Sequence, residues 1–341
     1  MSAPPELPGA VEAIYRELTD GYRSFLRADE LLERAAEQRP DLVPDRAALA
    51  AEADRPLKEK RGLEAQQGRF LSAVLAHPRA GLHLVHAMLR PTPAARARLD
   101  EFRRTGVADL GAAHVERRGA VGLVELRNPR FLNAEDDSTL GPLETAIDLV
   151  LLDPAIEVGV LRGGVVDHPR YAGRRVFNAG INLTHLYQGR IPFLFYMTRD
   201  LGLVNKLYRG LEGEAFDPDA PEATLEKPWI AAVESFAIGG GCQLLLVMDR
   251  VLAEEGSFFS LPARKEGIVP GAANLRLPRL VGERLARRAI LFERRFEADT
   301  AEGRLLCDEV VPAGGTDAAI HGFSSVASGP SGLKSSPSSP R

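Results

Sequence analysis

The sequence predicts an α/β protein in two parts: an all-helical N-terminal extension over residues 1–108 and a mixed core over 109–320. Three observations predict it. Up to about residue 105, apolar residues recur only at helical spacing, with prolines between the runs. After a change marked by Gly106 and Gly111, short strand-like runs alternate with helical ones. Two of those runs end in glycine-containing turns that open helices, at 178–180 and 239–241.

In the extension, Val11, Ile14, Tyr15, Leu18, Tyr22, Phe25 and Leu26 fall on one helical face. Pro40 and Pro44 end that pattern. A second helix is expected over 46–76, and a third after Pro78 with Leu82, Val85 and Leu89 on one side. A fourth opens at Pro91 and Pro93 and runs through Phe102. Such stripes are core and carry no visible chemistry.

Residues 113–117 and 121–127 alternate like strands about a hairpin at Gly119, and Asn128-Pro129 closes the second. Ser138, after Glu135, Asp136 and Asp137, caps an expected helix through Val150. A buried strand follows at 158–161, ended by Gly163-Gly164. The next apolar strand, at 174–183, runs into the turn Asn178-Ala179-Gly180 before a helix over 182–188. A long helix over 191–211 carries Arg199, and 217–226 is acidic and loop-like. The run 229–233 is a buried strand, followed by the turn 239–241, a helix over 242–248, and strands at 249–254 and 258–261. A helix over 281–292 and a last strand at 307–312 complete the core. From His321 the chain is rich in Ser, Gly and Pro, and disorder is expected. This rhythm permits a spiral of repeated strand–strand–helix turns or a doubly wound sheet.

Composition excludes several classes. A formal charge of -4 gives no basic excess for nucleic acid, and no apolar run reaches membrane-spanning length. The N-terminus lacks the basic start and apolar centre of a signal peptide. Cys242 and Cys307 form no CxxC pair, which suits a reduced, cytoplasmic setting. His83 and His86 stand three apart on a helix, but no third ligand stands at metal spacing. No GxGxxG after a strand and no phosphate-binding loop is present, so neither a metal nor an organic cofactor is expected.

Glycines at a strand-to-helix turn let the backbone approach a ligand, and the first N–H groups of the helix point at it. Two such turns present two N–H groups to one oxygen, which is how an oxyanion hole is built. A tight turn whose glycines serve packing alone fits the triplet equally well.

Taken together, FNAGINL at 177–183, IGGGCQLLLVMDRVLAE at 238–254 and FFSLPARKEGIVPGAANLRLPRLVG at 258–282 resemble the crotonase (enoyl-CoA hydratase/isomerase) superfamily. The resemblance covers about residues 112–320 and implies a crotonase-type ββα spiral core. It implies that the N–H groups of Ile181 and Gly240 form the oxyanion hole. A hydratase of this family needs two glutamates; Gln243 and Ala263 stand in their places. Neither can transfer a proton at neutral pH, so water addition is disfavoured and stabilisation of a thioester enolate remains.

The helical extension, FNAGINLTHLYQGRIP and IGGGCQLLLVMDRV are similar to a dioxygenase branch of the superfamily. That likeness implies oxygenation of 3,5-dihydroxyphenylacetyl-CoA by O2 on the way to the dihydroxyphenylglycine of antibiotics. CoA belongs to the substrate, and no metal or organic cofactor takes part. It places Glu135, Arg199 and Gln243 around the ring hydroxyls, and Leu183, Ala263 and Ile268 around an apolar O2 pocket. From the residues alone, Glu135 is a charge at a helix N-terminus, Arg199 an exposed helix charge, Gln243 a satisfied core amide, and Leu183 and Ile268 core. Arg174 and Arg175 suit CoA phosphates. The family also implies a homo-oligomer, trimer or hexamer, whose C-terminal helices cover the site; none is expected in the sequence after Pro312. Two alternatives stand beside the dioxygenase: an isomerase or thioester hydrolase using the same hole, and a non-catalytic thioester binder.

Overall fold

The structure, a computed structural model, describes residues 7–53, 55, 57–219 and 224–327. The chain divides into two compact units, Met1–Thr92 with Asn182–Glu226, and Pro93–Ile181 with Lys227–Arg341.

The first unit is helical. Helices Leu7–Leu18, Ala28–Gln38, Glu64–Ala76 and Pro78–Leu89 enclose a core that includes Tyr15, Leu31, Phe70, Leu71, Leu84 and Met88. Leu194, Met197 and Leu201 pack against this core. Their apolar face explains why segment 182–226, expected in the mixed core, joins the helical unit. The helix expected over 46–76 is interrupted between Arg46–Ala53 and Glu64–Ala76. Gly62, at φ +76°, turns the chain there, and buried Glu52 accepts the N–H groups of Gly62 and Leu63 at 2.6 and 3.0 Å. That carboxylate satisfies orphan donors beside the new helix start. The long helix expected over 191–211 is Phe193–Thr198, a π-helical stretch Arg199–Val204, and Asn205–Arg209.

Among the described residues, the second unit holds ten strands: β1 (Val107–Asp109), β2 (Ala113–Arg118), β3 (Val121–Leu126), β4 (Val158–Gly163), β5 (Trp229–Val233), β6 (Phe236–Ile238), β7 (Arg250–Glu254), β8 (Phe258–Ser260), β9 (Phe296–Glu297) and β10 (Glu309–Val311). Seven form one sheet in the order β1-β2-β3-β4-β5-β7-β10, antiparallel from β1 to β3 and parallel from β3 onward. The runs VGVLRG and WIAAV are apolar because β4 and β5 are covered on both faces, as central parallel strands are. β6, β8 and β9 form a second, smaller sheet.

Helix Pro93–Thr105 belongs to this unit, so the division falls at residue 92 and not at 108. Phe102 is fully buried, and Arg103 donates to the Leu152 carbonyl at 2.9 Å. Helix Asp137–Leu152 is capped by Asp136, in place of the expected Ser138. Asp136 is extended (φ -154°, ψ -176°), so its Oδ1 reaches the Ser138 N–H at 3.0 Å; Ser138 already lies inside the first turn. At the other end, Lys227 donates to the carbonyls of Val150 and Asp153 at 2.7 and 2.6 Å.

Helix Gly271–Val281 was not expected, and Gly282 (φ +79°) separates it from Glu283–Phe292. The disordered tail was expected from His321, yet helix Thr316–Ala327 runs through that point. It is anchored by Ile320, 4% exposed, in a cluster with Val160, Ile230, Leu252 and Val311. The rest of the expected tail lies outside the described residues.

Candidate active site

The two glycine turns are laid side by side by short strand pairing. Asn178 bridges Ala237 of β6 in parallel, with the Ile238 N–H donating to the Asn178 carbonyl at 2.9 Å. One turn later, Gly180 meets Gly239. Gly180 has φ +85°, and a Cβ there would lie 2.8 Å from the Ile238 oxygen and 3.1 Å from the Gly240 nitrogen. Gly239 has φ 54° and ψ -116°, and its N–H is held by the Ser260 carbonyl at 2.8 Å. Gly180 therefore needs glycine for its backbone conformation and for the approach of the two turns, and Gly239 for its conformation alone.

Helix Gly240–Leu245 opens at the second turn. Ile181 follows the first turn, half-buried, and among the described residues its N–H makes no backbone hydrogen bond. The structure thus brings Ile181 and Gly240 onto adjoining turns.

Glu135 joins them. Its N–H donates to the Gly180 carbonyl at 2.7 Å, and Glu135 pairs with Ile181 in an isolated parallel bridge. Its side chain is buried and accepts from Asn178 Nδ2 at 3.0 Å. Asn178 had no role in the sequence reading beyond its place in the motif. Its Oδ1 also accepts the Gly180 N–H at 2.6 Å, the turn that an Asn two residues before a glycine forms with its own backbone.

Gln243 lies on the helix after the second turn, 9% exposed, with its N–H on the Gly239 carbonyl. Its Oε1 accepts the Ala272 N–H at 3.0 Å, at the start of helix Gly271–Val281. Ala263 is buried and receives the Ile268 N–H at 2.9 Å, so these two stand together around the short helix Ala263–Glu266. Arg199 and Leu183 belong to the helical unit. Arg199 opens the π-helical stretch, is 5% exposed rather than the exposed charge its helix position suggests, and donates to Asp200 at 3.0 Å. Leu183 opens helix Leu183–Tyr187 and is half-buried.

Arg175, a candidate for CoA phosphates, is engaged with the Glu125 carboxylate and the Gly163 carbonyl, while Arg174 is exposed. Cys242 is no nucleophile: burial pushes its thiol up to about 12. Among the described residues, no group of three or more His, Cys, Asp or Glu stands close enough to hold a metal ion.

Residues 116–321 match the Enoyl-CoA hydratase/isomerase family. The chain is 54% identical over 310 residues to a (3,5-dihydroxyphenyl)acetyl-CoA 1,2-dioxygenase of Amycolatopsis orientalis, covering 91% of this chain and 71% of that protein. It is 31% identical over 205 residues to a short-chain-enoyl-CoA hydratase of Clostridium acetobutylicum, covering 60% of this chain and 70% of that one. An enoyl-CoA hydratase from Mycobacterium avium subsp. paratuberculosis K-10 shares the fold, with a TM-score of 0.53 at 24% identity over 65% of this chain and 81% of that one.

Proposed function

The chain belongs to the enoyl-CoA hydratase/isomerase (crotonase) family, and from that premise we propose that it oxygenates 3,5-dihydroxyphenylacetyl-CoA with O2 to 3,5-dihydroxyphenylglyoxylate and CoA. One observation carries the reading. Identity to the dioxygenase extends over 91% of the chain and so into the helical extension, whereas the hydratase matches 60%. The absence of both hydratase carboxylates, with Gln243 and Ala263 in their places, agrees with it.

The chemistry closes without an external reductant. Loss of a Cα proton gives a thioester enolate, whose oxygen the Ile181 and Gly240 N–H groups stabilise. The enolate gives one electron to O2, and the radical pair joins as a peroxide at Cα. The peroxide attacks the thioester carbonyl, CoA leaves as the thiol, and O–O cleavage yields the ketone and the carboxylate. Oxidation of the methylene to a ketone supplies all the electrons that O2 takes up, so the reading needs no metal or organic cofactor.

In this reading Glu135 and Gln243 face the ring hydroxyls. Gln243 Oε1 is occupied by Ala272, which leaves its Nε2 as the donor to a ring oxygen. Ala263 and Ile268 wall the apolar space for O2. The roles of Arg199 and Leu183 rest on the family resemblance alone. A homo-oligomer, trimer or hexamer, belongs to the reading: Val269, Leu275 and Phe292, exposed by 77%, 74% and 72%, are the apolar surface it would bury. A reduced, cytoplasmic setting suits two free, buried cysteines. Among the described residues, no helix is long and apolar enough to cross a membrane.

O2 uptake on adding 3,5-dihydroxyphenylacetyl-CoA tests the proposal. Release of CoA without O2 uptake would identify a thioester hydrolase, and isomerised thioester an isomerase. Binding with no turnover would leave only a binder.

A further inference from the structure

Resting on the reading that Glu135 faces the ring, we propose that Asn178 is a positioning residue that couples the oxyanion hole to Glu135. It thereby fixes the distance between the enolate site and the ring site, and so sets the preference for a hydroxylated aryl thioester. The geometry makes the coupling direct. The Asn178 side chain is fully buried and uses both ends: Oδ1 takes the Gly180 N–H at 2.6 Å, and Nδ2 gives to Glu135 Oε1 at 3.0 Å. The first bond shapes the turn that presents Ile181. The second orients the Glu135 carboxylate.

Neither residue can move alone. The Asn178 backbone is paired with β6, and a Cβ on Gly241 would lie 2.6 Å from Asn178 Cβ and from its carbonyl oxygen, so the second glycine turn closes over the side chain. The Glu135 backbone is fixed by its bond to the Gly180 carbonyl and by the helix cap at Asp136. Only side-chain torsions remain to aim the carboxylate, and Asn178 Nδ2 restrains them. Aspartate at 178 keeps the acceptor for Gly180 but replaces the donor with a second carboxylate facing Glu135.

The test compares parent protein, Asn178→Asp, Glu135→Gln and the double variant. Binding of 3,5-dihydroxyphenylacetyl-CoA and phenylacetyl-CoA is measured by calorimetry without O2, and O2 uptake is then measured on the same preparations. The parent is expected to prefer the hydroxylated thioester by roughly tenfold or more, the worth of a charge-assisted hydrogen bond. Each single variant is expected to reduce that preference to about threefold or less. The double variant rebuilds a carboxamide–carboxylate pair in reverse order and folds with both bonds available. It is expected to keep more of the preference than the product of the two single losses, the non-additivity that marks a coupled pair, though not the full charge-assisted value. Equal losses for the two thioesters in Asn178→Asp, a double variant no better than the product of the singles, or a parent with no preference each overturn the assignment. A parent that prefers the hydroxylated thioester but takes up no O2 removes the dioxygenase reading and leaves the binding ratios to decide on Asn178.

Discussion

On the proposed function, a side chain at Gly240 would stand where the thioester approaches and would turn the N–H from its oxygen. Losing one such donor costs about 3–4 kcal/mol of transition-state stabilisation, roughly a factor of 10²–10³ in rate. Gly240→Val is therefore expected to lose O2 uptake by at least that order while keeping the parent circular dichroism; near-normal turnover contradicts the hole. At Gln243, glutamate would keep an oxygen for the Ala272 N–H but lose the Nε2 donor, and on the proposed function that puts lone pairs and charge against the ring and enolate. Gln243→Glu is expected to lower O2 uptake without hydrating crotonyl-CoA, because Ala263 still lacks the second carboxylate. Unchanged uptake removes Gln243 from the site, and appreciable hydration refutes the need for two carboxylates. The positions of Gly240 and Gln243 at the second turn were legible because their signal is local: fixed spacing within one motif. The Asn178–Glu135 hydrogen bond was not, since the two residues lie 43 positions apart and only the fold brings them together.

Elements were legible where one force decides them. The run 229–233 had to be a buried strand and is β5. Broken helices were less so, because helical spacing continues across a break made by one backbone conformation, as at Gly62, or tolerates a π-helical stretch, as at Arg199–Val204. Helix Gly271–Val281 was hidden by Pro270 and Pro278, the one before its start and the other within its last turn. Helix Pro78–Leu89 carries His83, fully buried, with Nδ1 against the Tyr15 hydroxyl at 2.8 Å and Nε2 against the Tyr22 carbonyl at 3.0 Å. Burial pushes its pKa from the ordinary 6.5 down to about 4, against the pull of the Tyr22 carbonyl. Between those values the unfolded chain binds more protons, so stability falls as pH falls from 6.5 to about 4, by roughly 3 kcal/mol at most. Glu234, pushed up to about 7 by burial against the attraction of Arg162, has the opposite sign, losing stability as pH rises. The difference between parent and His83→Gln isolates the histidine. The variant is expected to melt lower at pH 7 and to show a flatter fall in Tm on acidification; parallel curves contradict the account.

On the scale of the whole molecule, the order of motifs identified the family before the fold was known, but the division into units was not legible. Residues 182–226 join the helical unit through Leu194, Met197 and Leu201, a packing choice invisible in a linear pattern. Helix Pro93–Thr105 goes the other way through Phe102 and Arg103. The reading also predicts that protein dialysed against a chelator keeps its O2 uptake; loss restored by one specific metal contradicts it. The central claim is that both atoms of O2 enter a substrate held as a thioester enolate. The most direct measurement mixes the protein anaerobically with 3,5-dihydroxyphenylacetyl-CoA, admits heavy-isotope O2, and weighs the products by mass spectrometry. The account predicts free CoA and 3,5-dihydroxyphenylglyoxylate carrying two heavy oxygens, one in its carboxylate and one in its ketone. Unlabelled 3,5-dihydroxyphenylacetate, formed with no O2 consumed, would contradict it.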